Sequence, residues 1–225
     1  MTRKINLAPG EFYHIYNRGT DKRDVFNNDY DYERFLSLLY IANGSIPVDL
    51  KLQGSTLYKI LEIDRGNNLV EICAYCLMPN HFHLIIREKN EGGISKFMQK
   101  LTTAYTMYFN KVCERDGSLF QGRFKAKHAD SDNYLSYLIA YIHLNPVKLI
   151  DGSWKEKGVQ NMAQAEVFLN KYRYSSYLDY SRNSSRSESK ILNMSAMPHY
   201  NELPQDFRSS IKEWLNYSSL QGSTL

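Results

Sequence analysis

Two histidines one residue apart, His81 and His83, are the residues in this sequence whose spacing points most directly to chemistry. Phe82 lies between them, and Leu77, Leu84, Ile85 and Ile86 surround them. Apolar, partly β-branched neighbours predict a strand. Side chains alternate faces along a strand, so the two imidazoles share one face and Phe82 takes the other. Two imidazoles side by side are half of a metal site. A second group of candidates lies about 60 residues on. Tyr141 and Asn145 are four apart in a helical pattern and so share a face. Two imidazoles and one amide oxygen can hold a divalent cation with open positions, either Mg²⁺ or Mn²⁺ on a substrate phosphate. Nitrogen donors favour Mn²⁺. A phenol has a pKa of about 10 and needs such help to attack a phosphate, leaving a phosphotyrosine link to nucleic acid.

Each of these residues also has a plainer role open to it. The histidines can be satisfied members of a core. Tyr141 can be an amphipathic helix residue with a wet hydroxyl, and Asn145 can simply end a helix before Pro146. His128 and His143 are rival ligands, although His143 is two residues from Tyr141 and points elsewhere on a helix. His14 either faces the same site or packs.

The elements that must position these groups follow from the hydrophobic pattern. Glu11–Arg18 reads as a first strand, and Asp29–Ala42 as a helix ended by Asn43-Gly44. Thr56–Ile63 leans towards a short helix. A central strand opens near Leu69 and carries the stretch Glu71–Arg87. Ile94–Val112 is a long helix with Phe97, Leu101, Tyr105 and Tyr108 in its apolar stripe. In LFQGRFKAKH, Arg123, Lys125 and Lys127 alternate with smaller or apolar residues, which suggests a strand or extended arm with a basic face. Asp130 or Ser131 caps a helix running to about Leu144. Further on, Met162–Asn170 reads as a helix and Tyr172–Tyr180 as an aromatic segment that packs back on the body. Ser181–Lys190 reads as a polar, mobile loop, and Pro204–Asn216 as a helix with Phe207, Ile211, Trp214 and Leu215 on one face. LQGSTL occurs at 52–57 and again at 220–225, too short a match to imply a repeat architecture. The order predicts an α+β fold: a ferredoxin-like antiparallel sheet with helices on one face, and a helical C-terminal extension. Residues 1–150 form the expected catalytic domain and 151–225 the extension.

Composition narrows the partners. A net charge of +4 is compatible with nucleic acid without requiring it. Arg18, Lys96, Lys100, Arg123, Lys125 and Lys127 are the candidate DNA contacts. Three cysteines, Cys73, Cys76 and Cys113, argue for a reducing compartment rather than a disulfide framework. The C-x-x-C of Cys73 and Cys76 has no second pair, and strand alternation would turn the two to opposite faces. No apolar run suits a signal peptide or a membrane span, so a cytoplasmic location is expected.

Four motifs in order carry a family resemblance. MPNHFHLII is similar to the histidine–hydrophobic–histidine signature of HUH nucleases. With HIYNRG (His14–Gly19), LFQGRFKA (Leu119–Ala126) and YIHLNPVK (Tyr141–Lys148), it resembles the single-tyrosine insertion-sequence transposases, in particular the REP-associated branch. RYSSY (Arg173–Tyr177) resembles a segment that follows the core in that branch. The resemblance implies that Tyr141 is the nucleophile and that His81, His83 and Asn145 hold a Mg²⁺ or Mn²⁺ ion. It implies cleavage of single-stranded DNA beside a hairpin, with a 5′-phosphotyrosine intermediate, a free 3′-hydroxyl and no small-molecule cofactor. The working unit would be a monomer or a homodimer. The insertions at 44–68 and 151–170 and the tail after Tyr180 depart from the pattern. Two other activities fit the same residues: a hairpin-binding protein that does not mobilise DNA, and a hydrolase in which water attacks and Tyr141 only packs.

Overall fold

The computed structural model describes residues 6–48, 56–181, 186–198 and 204–217. Its sheet has the strand order β2-β3-β1-β4, built from β1 (Phe12–Arg18), β2 (Val70–Met78), β3 (His81–Glu88) and β4 (Lys125–His128). Each neighbouring pair is antiparallel. With α1 (Asp29–Ala42) between β1 and β2, and α3 (Gly93–Val112) between β3 and β4, this is the expected ferredoxin-like arrangement. A short helix, α2 (Leu57–Ile60), precedes β2.

The stretch Glu71–Arg87 corrects the sequence reading. It is two strands joined by a tight hairpin, not one. Pro79 and Asn80 make the turn, since proline lacks a donor for the ladder and Asn suits a turn. Apolar residues dominate both sides of that turn, which hides it from a periodicity argument. A bulge between Ile72 and Ala74 also changes the cysteines. One extra residue shifts the alternation, so Cys73 and Cys76 pack in the same apolar cluster instead of on opposite faces. Both are buried and neither is in a disulfide, and burial pushes the Cys73 thiol up to about 12.

The two faces of the sheet are covered differently. α1 and α3 lie on one face, where Phe82, Leu84, Ile86, Tyr13 and Ile15 meet Phe35, Phe97, Leu101 and Tyr105 in the main core. The start of α3 is locked to the end of β3. The buried Glu88 carboxylate accepts from the Ile94 amide at 3.1 Å, an anion at a helix N-terminus. A Cβ on Gly93 would meet the Leu69 carbonyl at 2.6 Å, so only glycine fits that approach.

The opposite face carries α4 (Asp132–Leu144), which the strand and helix order alone does not place. Ser131 is its N-cap and accepts from the Tyr134 amide at 3.3 Å. Leu135, Leu138 and Ile142 press onto Ala74, Cys76, Met78 and Ile85 of the sheet. The far side of α4, with Ala140 and Leu144, packs against α6 (Met162–Leu169), α7 (Tyr177–Ser181) and α8 (Pro204–Tyr217). α5 (Trp154–Lys157) adds Trp154 to that cluster. Phe207 and Ile211 of α8 are buried in it, as their spacing predicts. Trp214 and Leu215 lie outside the described side chains.

The chain after α6 also closes the β2 edge. Leu77 donates to the Tyr174 carbonyl, Ser176 to the Tyr75 carbonyl and Asn193 to the Ile72 carbonyl, at 2.9, 2.9 and 2.7 Å. Tyr174 stacks on Tyr32 with ring centroids 3.9 Å apart. The expected mobile loop at Ser181–Lys190 is corrected for the residues described. Arg186 is anchored by a buried pair with Asp179 at 2.7 Å and by donations to Tyr75 Oη and the Ser175 carbonyl, and Ser187–Ile191 forms a 3₁₀ turn. Residues 182–185, like most of both LQGSTL copies, lie outside the described residues. No described helix is long and apolar enough to cross a membrane.

Candidate active site

β3 delivers His81 and His83 to the face under α4, with Phe82 buried on the other, as alternation requires. The two imidazoles meet edge to face with centroids 4.9 Å apart. Each is held by a neighbour. Asn80 Oδ1 lies 2.6 Å from His81 Nδ1, and the same amide donates from Nδ2 to the Lys22 carbonyl at 3.1 Å. That second bond orients the amide, so its oxygen accepts and His81 Nδ1 is the donor. His83 Nδ1 lies 2.8 Å from His14 Nε2, and both rings are buried.

His14 comes from β1, one strand away, and its ring stacks on His83 at 5.0 Å and on Tyr16 at 4.8 Å. Sequence reasoning left His14 undecided between packing and the site. Strand alternation separates His14 from the core-facing Tyr13 and Ile15, and the pairing of β1 with β3 puts it on the face that holds the histidines.

α4 supplies three tyrosines to the same face. Tyr134, Tyr137 and Tyr141 form a stacked ladder with centroids 6.0 and 5.9 Å apart. Tyr141 sits at the end nearest the histidines, edge-on to His83 at 5.6 Å and to His14 at 6.1 Å. Tyr134 at the other end has the Lys127 ammonium 4.6 Å above its ring. Burial, and then the neighbouring tyrosines, push the Tyr137 phenol up to about 12, which makes it a poor nucleophile. Tyr141 is half-exposed, so a substrate can reach it.

Asn145 caps α4 one turn after Tyr141. It is buried, and its Nδ2 donates to the Tyr141 carbonyl at 3.2 Å. No cluster of three His, Cys, Asp or Glu side chains suited to a metal occurs among the described residues. The donor set at this face is therefore two imidazoles plus whatever oxygen a carboxamide, water or phosphate adds. Such a set fits a cation of the Mn²⁺ type.

The rival histidines lie elsewhere. His128 pairs across the sheet with Tyr13, on the main-core face, and bonds Glu11 at 2.7 Å. His143 is fully buried behind α4, 2.7 Å from Ser176 Oγ and packed on Tyr180 and Phe207. Burial lowers its pKa to about 3.

The basic candidates divide. Arg18 pairs with His81 across β1 and β3, Lys125 with Tyr16 and Lys127 with His14, all on the histidine face and all exposed. Lys96 and Lys100 are on α3, across the sheet. Lys100 is engaged there, donating to the Gly44 carbonyl at 2.8 Å. Arg123 is exposed and lines a groove of about 960 Å³ between α3 and the segment before β4.

The family described as IS200-like transposases matches residues 12–145. That span is more than half of the chain, and it begins with β1 and ends on Asn145. The chain belongs to the IS200-like transposase family. His14, His81, His83, Tyr141 and Asn145 all fall inside the match. No curated protein matches the sequence. Among solved structures, a REP-associated tyrosine transposase bound to a REP hairpin is similar to this transposase at 15% identity. It has a TM-score of 0.47, over 88% of this chain and 97% of that one.

Proposed function

We propose that this transposase cuts and rejoins single-stranded DNA beside a hairpin, with Tyr141 as nucleophile. The observation that carries the reading is the placement of Tyr141. It is the end of the tyrosine ladder that meets His83 and His14, on an accessible face flanked by Arg18, Lys125 and Lys127.

In the forward step the Tyr141 phenol gives up its proton to water, an equivalent proton passes from water to the leaving 3′ oxygen, and the phenol oxygen bonds to phosphorus. The bond from phosphorus to the 3′ oxygen breaks, and that oxygen leaves as a free 3′-hydroxyl. The DNA 5′ end stays on Tyr141 as a phosphotyrosine. The reverse attack by a 3′-hydroxyl restores a phosphodiester and releases Tyr141, so joining needs no external energy source. His81, His83 and the Asn145 amide oxygen would hold Mg²⁺ or Mn²⁺, which supplies positive charge to polarise the phosphoryl oxygens. Leu135, Leu138 and Ile142 hold α4 to the sheet and so fix the approach of Tyr141 to the phosphate. Arg18, Lys125 and Lys127 draw the strand backbone across this face. Residues 1–150 make up the catalytic unit, and α6, α7 and α8 brace α4 from behind. The three cysteines, none of them in a disulfide, suit work in the cytoplasm.

A denaturing gel with labelled single-stranded hairpin DNA tests the proposal. A covalent protein–DNA adduct is expected. Binding without an adduct would make this a hairpin-binding protein, and cleavage without an adduct would make water the nucleophile.

A further inference from the structure

We propose that His14 is a positioning residue for His83: it accepts the Nδ1 proton of His83 and so fixes the tautomer in which Nε2 is the coordinating atom. This inference rests on the reading above, in which His83 is a metal ligand.

A neutral imidazole carries one N–H and one lone pair. The 2.8 Å contact between His83 Nδ1 and His14 Nε2 admits two arrangements. If His14 donates, the proton of neutral His83 sits on Nε2, and no lone pair is left there for a cation. If His83 donates, Nε2 carries the lone pair and the ring is a competent ligand. Direct coordination through Nδ1 is blocked in both, because His14 already occupies that atom. His81 shows the same design with its direction settled. Its Nδ1 donates to Asn80 Oδ1, an oxygen because the Asn80 nitrogen is spent on the Lys22 carbonyl. Both imidazoles of the pair are thus gripped at Nδ1 by a neighbour, one from the hairpin turn and one from β1.

The placement of His14 supports a directional role. Its ring stacks on Tyr16 at 4.8 Å and on His83 at 5.0 Å, with interplanar angles of 28° in both cases. Tyr16 and His83 both pack on the ring, and both partners of the hydrogen bond are buried. A buried hydrogen bond between held rings fixes ring orientation as well as proton position. Partners of this kind affect metal affinity by about 10- to 100-fold.

The test uses Mn²⁺ alone, without DNA, and the metal-free protein. Free Mn²⁺ is followed by electron paramagnetic resonance in the wild type, His14→Leu, His14→Gln and His83→Ala. The imidazole tautomers are read from ¹⁵N chemical shifts. We expect His83 in the metal-free wild type to be protonated at Nδ1. His14→Leu should weaken Mn²⁺ binding about 10- to 100-fold and move the His83 proton towards Nε2. His14→Gln, whose carboxamide oxygen can accept in place of Nε2, should recover most of the affinity and keep the Nδ1–H form. Should His14→Leu fail to fold, His14→Gln and the wild-type tautomer still decide the matter. An Nε2-protonated His83 in the wild type overturns the proposal. So does wild-type affinity in His14→Leu when His83→Ala has lost binding. Wild-type affinity in His83→Ala overturns instead the metal reading on which the proposal rests.

Discussion

The two faces of the sheet are made by the same strands and differ in almost everything else. Under α1 and α3, Phe82 is fully buried against Phe35 and Phe120, at 5.1 and 5.6 Å, and the Tyr105 hydroxyl is spent on the Val25 carbonyl. Under α4 the aromatic residues are fewer and half-exposed. Tyr16, Tyr134, Tyr137 and Tyr141 surround His14, His81 and His83. One face is closed by two helices, while α4 covers only part of the other. Alternate residues of β3 therefore face different surroundings: Phe82 pins the sheet to its helices, and its neighbours on either side face the candidate site. A sequence that looks uniformly apolar between Leu77 and Ile86 is in fact split by strand parity.

The sharpest way to break this comparison is to mutate adjacent residues. Phe82→Ala should cost about 3–5 kcal/mol of stability, because a filled site in a closed core becomes a cavity. His81→Ala, one residue away and half-exposed, should cost less than about 1 kcal/mol yet abolish DNA cleavage. Urea denaturation alongside a cleavage assay reads both. Comparable destabilisation by the two variants would contradict the division of labour.

A second contrast lies between His83, at the half-open face, and His143, sealed on the far side of α4. The His143 pKa is lowered from 6.5 to about 3, chiefly by burial. The unfolded chain therefore takes up a proton first as pH falls. The stability that depends on neutral His143 is complete above about pH 6.5 and drains away as pH drops towards 3. At pH 4 the loss from this group should be on the order of 3 kcal/mol. His143→Gln, which stays neutral, should be less acid-sensitive than the wild type between pH 7 and 4. Parallel stability curves for the two proteins would show that burial of His143 does not control acid unfolding.

The smallest expected effect concerns the lysines. Lys125 and Lys127 share the histidine face, whereas Lys96 and Lys100 lie across the sheet. Replacing Lys125 and Lys127 by Ala should make the log–log salt dependence of single-strand binding shallower by roughly 0.7 for each. Lys96→Ala should leave the slope unchanged. The reverse pattern would move the DNA to the helix layer and away from Tyr141.

Much of this organisation is legible in the sequence. The spacing of Tyr32, Phe35, Leu36 and Leu39 gives α1 with its observed ends, and Ser131 is readable as a cap. Parity alone puts His81 and His83 together, and an i, i+4 step puts Asn145 beside the Tyr141 turn. The hairpin at Pro79-Asn80 is not visible in periodicity, because both strands are largely buried and read together as one mostly apolar run. The bulge that brings Cys73 to the side of Cys76 leaves no local mark, since it adds a residue without breaking the pattern. His14 illustrates the deeper limit. Its partner is 69 residues away, and only the pairing of β1 with β3 brings them together. The same holds for Arg186, which stands in a Ser-rich stretch that looks unstructured until Asp179 and Tyr75 are seen around it.

The central claim is that Tyr141, alone among the tyrosines of its ladder, forms the covalent bond to DNA. Mass spectrometry of the trapped adduct, made with the wild type and with Tyr134→Phe, Tyr137→Phe and Tyr141→Phe, tests it most directly. The nucleotide should be found on Tyr141 in the first three proteins. Tyr141→Phe loses one oxygen and keeps the ring against His83, so it should fold, bind hairpin DNA and form no adduct. A nucleotide on any other tyrosine, or an adduct in Tyr141→Phe, would contradict the account.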